Sequence, residues 1–127
     1  MIKFVYIKML AVICIIILLI TVKPVTANDW TRQDTYYQAG YTMLLFADYL
    51  QTMEIIEDGS LYETNPILGR YPSKQETSAY FASCAITAAV AAFLLPPKQR
   101  RWLYIFLIGI ESNTIYHNYQ IGIRINF

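Results

Sequence analysis

Apolar residues along the chain fall into four runs, separated by polar and proline-bearing stretches. The first, Phe4 to Val22, is almost unbroken. Within it, Met9 to Val22 follows Lys3 and Lys8 and has the length of a secretory hydrophobic region. Lys23-Pro24 and then Val25-Thr26-Ala27 come next, with Val25 and Ala27 at the −3 and −1 positions of a cut before Asn28. This tripartite order predicts a signal peptide over residues 1–27. The nineteen residues from Phe4 to Val22 also suffice to cross about 30 Å of hydrocarbon, so an uncleaved signal anchor is the alternative.

The remaining three runs predict helices over about 35–56, 74–95 and 102–119, within a single domain of residues 28–127. In the first of these, Tyr41, Leu45, Asp48 and Thr52 share a face by 3/4 spacing, while Met43, Leu44, Phe46, Leu50 and Met53 cover much of the rest. Asp29 or Asp34 is placed to cap its start. Asp58-Gly59 signals a turn, and Pro66 and Pro72 keep residues 57–74 from forming a regular helix. Ser73 with Glu76 three residues on forms a capping box for the next helix, which stops at Pro96-Pro97.

That helix carries Ser78, Ala82, Ala85, Ala88, Ala89 and Ala92. These are either a close-approach surface for a neighbouring helix in lipid or simple alanine-rich helix former. A basic turn over 98–101 is expected before the last helix. Trp102, Tyr104, Tyr116 and Tyr119 lie near the ends of that helix, as in an interfacial aromatic belt. The closing stretch, Gln120 to Phe127, is too short to span anything. The predicted fold is therefore all-α: a small helical membrane bundle of three helices after an N-terminal signal peptide or signal anchor.

Composition sharpens this picture. The chain has 127 residues, of which 56% are hydrophobic and 15% charged, against about 25% charged in ordinary soluble domains. Residues 1–27 hold three positive and no negative side chains, so residues 28–127 carry a net charge of −2. No basic stripe is formed, and nucleic acid is not an expected partner. Cys14 and Cys84 lack metal-ligand spacing and read as small buried hydrophobes. Charge placement conflicts with simple topology. An exported start puts Lys98, Arg100 and Arg101 outside, against the positive-inside rule, with only Arg70 and Lys74 inside. Either the first segment overrides the rule, or residues 35–56 do not span and instead lie at the interface or pack in the periplasm.

Ionisable groups inside apolar helices are candidates for function. Asp48 is near the centre of the first predicted helix and Glu111 near the centre of the last, with His117 within two turns. Facing helices would bring Asp48 and Thr52 against Glu111 and Asn118. Two readings follow. In one, Asp48, Thr52, Glu111, His117 and Asn118 form a hydrogen-bond network that fixes helix register. In the other, Asp48, Glu111 and His117 build an intramembrane proton, ion or small-ligand site, for binding or, in its furthest form, for catalysis, since carboxylates close together in a dry interior share a proton or bind a cation. No nucleophile–base spacing, phosphate loop or H-E-x-x-H motif occurs, so no catalytic residue is assigned and no cofactor is expected. The loop from Glu63 through Asn65 and Pro66 to Gly69 is the most distinctive stretch. Pro66 forces Asn65 from helical dihedrals, and Glu63 is placed to accept turn N–H groups or to pair with Arg70.

The pattern Asp48-x-x-x-Thr52, then Glu63-x-Asn65-Pro66, then a small-residue helix resembles small membrane proteins of bacteria and their tailed phages. The likeness extends to Asn65 through Ser73, His117-Asn118 and the tail from Gly122 to Phe127, and so covers most of residues 29–127. It implies a shared fold and a bacterial or phage setting, and brings no activity with it. The expectation is a non-enzymatic protein of the bacterial inner membrane. Its partners would be the lipid bilayer and another envelope protein met through the Glu63–Gly69 loop.

Overall fold

The computed structural model describes residues 30–125. The expected leader, residues 1–27, lies outside the described residues, as do Asn28 and Asp29. The described part is all-α with no strand: α1 (Arg32–Asp58), α2 (Lys74–Leu94) and α3 (Pro97–Gln120).

Local chemistry sets each boundary. α1 starts earlier than residue 35 because Thr31 caps it: the Asp34 amide donates to Thr31 Oγ1 at 3.2 Å, and the Thr31 amide donates to Asp34 Oδ2 at 2.8 Å. Asp34 is thus the reciprocal partner of a capping box rather than the cap itself. The helix ends on Gly59, whose φ of 67° is the left-handed conformation that suits glycine at a helix C-terminus. α2 carries the expected box, with Ser73 and Glu76 each accepting the other's backbone N–H. α3 starts at Pro97 rather than at residue 102, so residues 98–101 are its first turn and not a basic loop. Proline favours this position, because its φ is already helical and the first helical N–H needs no partner.

α1 packs most extensively against α3, less against α2, while α2 and α3 touch little. Contacts at matching ends show that α1 and α3 run in the same direction and α2 opposes both. The core joins Tyr41 and Leu45 of α1, Phe81, Ala88 and Ala92 of α2, and Leu103 and Tyr104 of α3. Burial of Ala88, Ala91 and Ala92 gives the small residues of α2 a packing role, whereas Ser78 and Ala82 are exposed. Tyr104 is fully buried rather than interfacial. Its ring stacks on Tyr37 with centroids 6.3 Å apart, and its hydroxyl donates to Gln38 Oε1.

One side chain ties the three helices together. Arg100 is 2% exposed. Its Nε donates to Ala92 O at 2.7 Å and one terminal nitrogen donates to Leu95 O at 3.1 Å, filling carbonyls that the end of α2 leaves without helical partners. The other terminal nitrogen reaches Asp34 Oδ2 on α1 at 2.9 Å. The guanidinium also lies over the Trp30 ring, 4.7 Å from its centroid.

This cluster sits at the bundle end, before the apolar stretches 35–56 and 102–119. Burial raises the proton affinity of Asp34, but hydrogen bonds from the Thr31 amide and hydroxyl and from Arg100, with the guanidinium charge, outweigh it. The carboxyl is held below its ordinary value. The unfolded chain therefore takes up this proton first. The stabilisation is complete above about pH 4 and is lost as pH falls through the folded value. In detergent, the thermal midpoint of the wild type is expected to drop more steeply below pH 4 than that of Asp34→Asn, measured by circular dichroism. Parallel acid profiles would show that Asp34 is not so coupled.

Candidate functional site

At the opposite end of the α1–α3 pair the two helices are joined by polar side chains. Asp48, Gln51 and Thr52 are 8%, 3% and 2% exposed on the inner face of α1. The Asn118 amide of α3 donates to Asp48 Oδ1 at 3.2 Å and to Gln51 Oε1 at 3.1 Å. Gln51 in turn donates to the Ile115 carbonyl at 3.4 Å. A carboxamide suits this place because it offers two donors and one acceptor group and can bridge two neighbours. Gln51 was not among the sequence candidates. Its signal was present, since it lies three residues beyond Asp48 and four before Ile55, also buried.

Glu111 stands on α3 two turns before Asn118 and lines, with Asp48, a partly enclosed cavity of about 340 Å³. All three helices contribute to the wall, which the sparse α2–α3 contact leaves open. The wall is mainly apolar and aromatic, with Tyr41, Tyr80 and Phe81 beside the two carboxylates and Cys84 on α2. His117 does not take part: it is exposed and absent from this wall, and its carbonyl accepts the Ile121 amide as the helix ends. Thr52 is buried next to Gln51 in sequence but does not line the cavity. The structure thus gathers Asp48 and Asn118, adds Gln51, places Glu111 in the adjoining cavity, and leaves His117 outside. Among the described residues no three His, Cys, Asp or Glu side chains converge as a metal site.

The Glu63–Gly69 loop is a separate unit. Glu63 Oε1 accepts the Asn65 amide at 2.7 Å, and Asn65 Oδ1 accepts the Ile67 amide at 3.1 Å, a side-chain-closed turn. The Gly69 amide donates to the Asn65 carbonyl at 3.0 Å, with Gly69 at a φ of 78°. Of the two roles open to Glu63 from its sequence position, the structure shows the backbone one. Arg70 instead lies over the Tyr62 ring at 4.9 Å. Asn65 is buried, whereas Pro66 and Ile67 are exposed at the loop surface.

Compared with protein-family models, curated proteins and solved structures, the chain matches none.

The two-way bridge of Asn118 makes a specific demand. Asn118→Leu removes the amide donors facing both Asp48 and Gln51 and is expected to cost about 1–3 kcal/mol. Asn118→Asp places a like charge against Asp48 and should cost more at neutral pH. His117→Ala, on the exposed side, should stay within about 0.5 kcal/mol. Denaturant unfolding in detergent measures all three, and equal effects at 117 and 118 would rule out the bridge.

Proposed function

We propose that the chain is a small, non-enzymatic helical protein of the bacterial inner membrane with a structural or interaction role. The observation that carries this reading is the outer surface of α2. Its 21 residues have a mean hydropathy of 1.6 over the most apolar window, only 28% of which is buried against the other helices. At 1.5 Å per residue such a helix is about 32 Å long, matching the hydrocarbon thickness of a bilayer. A helix of this composition serving as a soluble core would be covered, whereas Ile86, Val90 and Phe93 of α2 are more than half or about half exposed.

The neighbouring helices support the same reading. Met43 and Phe46 of α1 and Ile105 and Phe106 of α3 add to the exposed apolar surface. Large aromatic side chains are exposed towards both ends: Trp30, Tyr36 and Trp102 at one, Tyr62, Tyr71, Tyr116 and Tyr119 at the other. Interfacial aromatics take such positions because their rings are apolar while their hydroxyl or indole N–H stays hydrated. In this reading the Asp48–Gln51–Asn118 bridge fixes the register of α1 against α3. The Glu63–Gly69 loop, held by its own hydrogen bonds, offers exposed Ile67 to an envelope partner.

Fractionation tests the placement. The protein expressed in a bacterial host is expected to sediment with inner membranes and to resist alkaline carbonate extraction. Mass spectrometry is expected to find Asn28 as the N-terminus where the leader is cleaved. Quantitative recovery in the soluble fraction, or release by carbonate, would overturn the reading.

A further inference from the structure

One end of the bundle gathers cations that the packing of the helices does not require. The Asp34–Arg100 pair holds the start of α1 beside the start of α3, and so brings Arg32, Lys98 and Arg101 to the same end. Asp34 is the one carboxylate at this end among the described residues, and Arg100 already engages it. Arg32 and Lys98 are exposed and Arg101 is partly so, and none of the three joins an ion pair among the described residues. Helix electrostatics disfavours this arrangement. A helix N-terminus carries positive partial charge, yet the opening of α3 holds Lys98, Arg100 and Arg101 with no acidic side chain and no side-chain cap. The opposite end differs: Lys74 pairs with Glu57, and Arg124 borders a groove with Glu54 and Asp58.

Cations set against a helix dipole without counter-charge call for an anion from outside, and the order of side chains below them identifies it. On α1, exposed Tyr36 follows Arg32 by four residues and exposed Met43 follows Tyr36 by seven, so the three share one face. On α3, exposed Trp102 follows Lys98 by four residues and exposed Phe106 follows by four more. Four residues of helix rise about 6 Å. Each helix therefore presents a cation at its end, an amphipathic ring one turn deeper, and hydrocarbon below that. A phospholipid offers the matching order of phosphate, glycerol ester and acyl chain, and rings of this kind favour the ester level. Free phosphate or an acidic protein would meet the cations but leave the rings and apolar side chains beneath them without a counterpart.

We propose that this end of the bundle binds the headgroup phosphates of anionic phospholipids. Arg32, Lys98 and Arg101 supply the counter-charge, and Tyr36 and Trp102 lie at the ester level below them. A zwitterionic headgroup answers the site less well, because its own ammonium offsets the phosphate. The proposal rests on the membrane placement proposed for the chain, and adds to it the class of lipid and the residues that select it.

Both tryptophans of the sequence, Trp30 and Trp102, lie at this end and are exposed, so their fluorescence reports on the lipids around it. The full chain is reconstituted in vesicles of phosphatidylcholine and phosphatidylglycerol, with brominated acyl chains, which quench tryptophan on contact, placed on one lipid or the other. Brominated phosphatidylglycerol is expected to quench at least about twofold more than the same mole fraction of brominated phosphatidylcholine. Arg32→Gln combined with Lys98→Gln, both at exposed positions, is expected to bring this ratio close to one. Arg70→Gln combined with Arg124→Gln, at the opposite end, should keep it. Sodium chloride should lower the ratio by screening, and inorganic phosphate at equal ionic strength should lower it no further. Helical circular dichroism checks that each variant is folded; should the Arg32 and Lys98 variant fail to fold, the wild-type ratio and its salt dependence decide the matter. Equal quenching by the two lipids would overturn the proposal while leaving the membrane placement standing, whereas no quenching by either would overturn both. An unaltered ratio in the folded Arg32 and Lys98 variant, or a ratio abolished by phosphate but not by chloride, would also overturn it.

Discussion

The bundle depends on how the start of α3 is fastened to the other two helices. A helix leaves its last carbonyls unsatisfied, and α2 ends at Leu94, with Leu95 as its cap and Pro96-Pro97 following, where the chain cannot continue the helix to supply donors. Arg100 solves this from the next helix. Its planar fork bonds Ala92 O and Leu95 O, and its remaining arm reaches Asp34 on α1. An ammonium could not reproduce that fixed set of directions. Buried charge is costly to leave unpaired, so the pair acts less as a source of net stability than as a demand that all three helix ends meet in one arrangement.

With that end fixed, the other end of the α1–α3 pair needs only modest reinforcement. The Asn118 bridge to Asp48 and Gln51 supplies it, and interhelical bonds of this kind specify register more than they add stability. Between the two polar ties lie the buried alanines of α2, Ala88, Ala91 and Ala92, which share one core with Tyr41 and Leu45 of α1 and Leu103 and Tyr104 of α3. Because α2 meets α3 so little, the space beside this core stays open, and Asp48 and Glu111 come to border one cavity. The register tie and the cavity thus share Asp48, so the positioning of one side chain serves both.

Local features of the sequence carried through to the structure, and distant ones did so unevenly. The three helices follow from apolar runs bounded by Asp58-Gly59, by Ser73 with Glu76 and by Pro96-Pro97, all of which act within a few residues. The face shared by Tyr41, Leu45, Asp48 and Thr52 is the buried face of α1, because 3/4 spacing decides it. Periodicity does not reveal partners: Arg100 lies within a basic stretch that reads as a solvated turn, and its acid is 66 residues away. Pro97 obscured the helix start in the same way, since proline both breaks helices and begins them. His117 looked central beside Glu111 and Asn118, but 100° per residue turns it to the outside. Tyr104 likewise suggested a membrane belt by its place near a helix end, and its burial comes from the α1–α3 crossing that no local signal encodes.

A double-mutant cycle across Asp34 and Arg100 tests this account most directly. Unfolding free energies in detergent would be compared for Asp34→Ala, Arg100→Ala and the double variant. If the ion pair locks the three helix ends, the double variant should be no less stable than the worse single one, with a coupling of about 2 kcal/mol or more. Additive losses, with coupling below about 0.5 kcal/mol, would contradict the account and leave the helix ends held by packing alone.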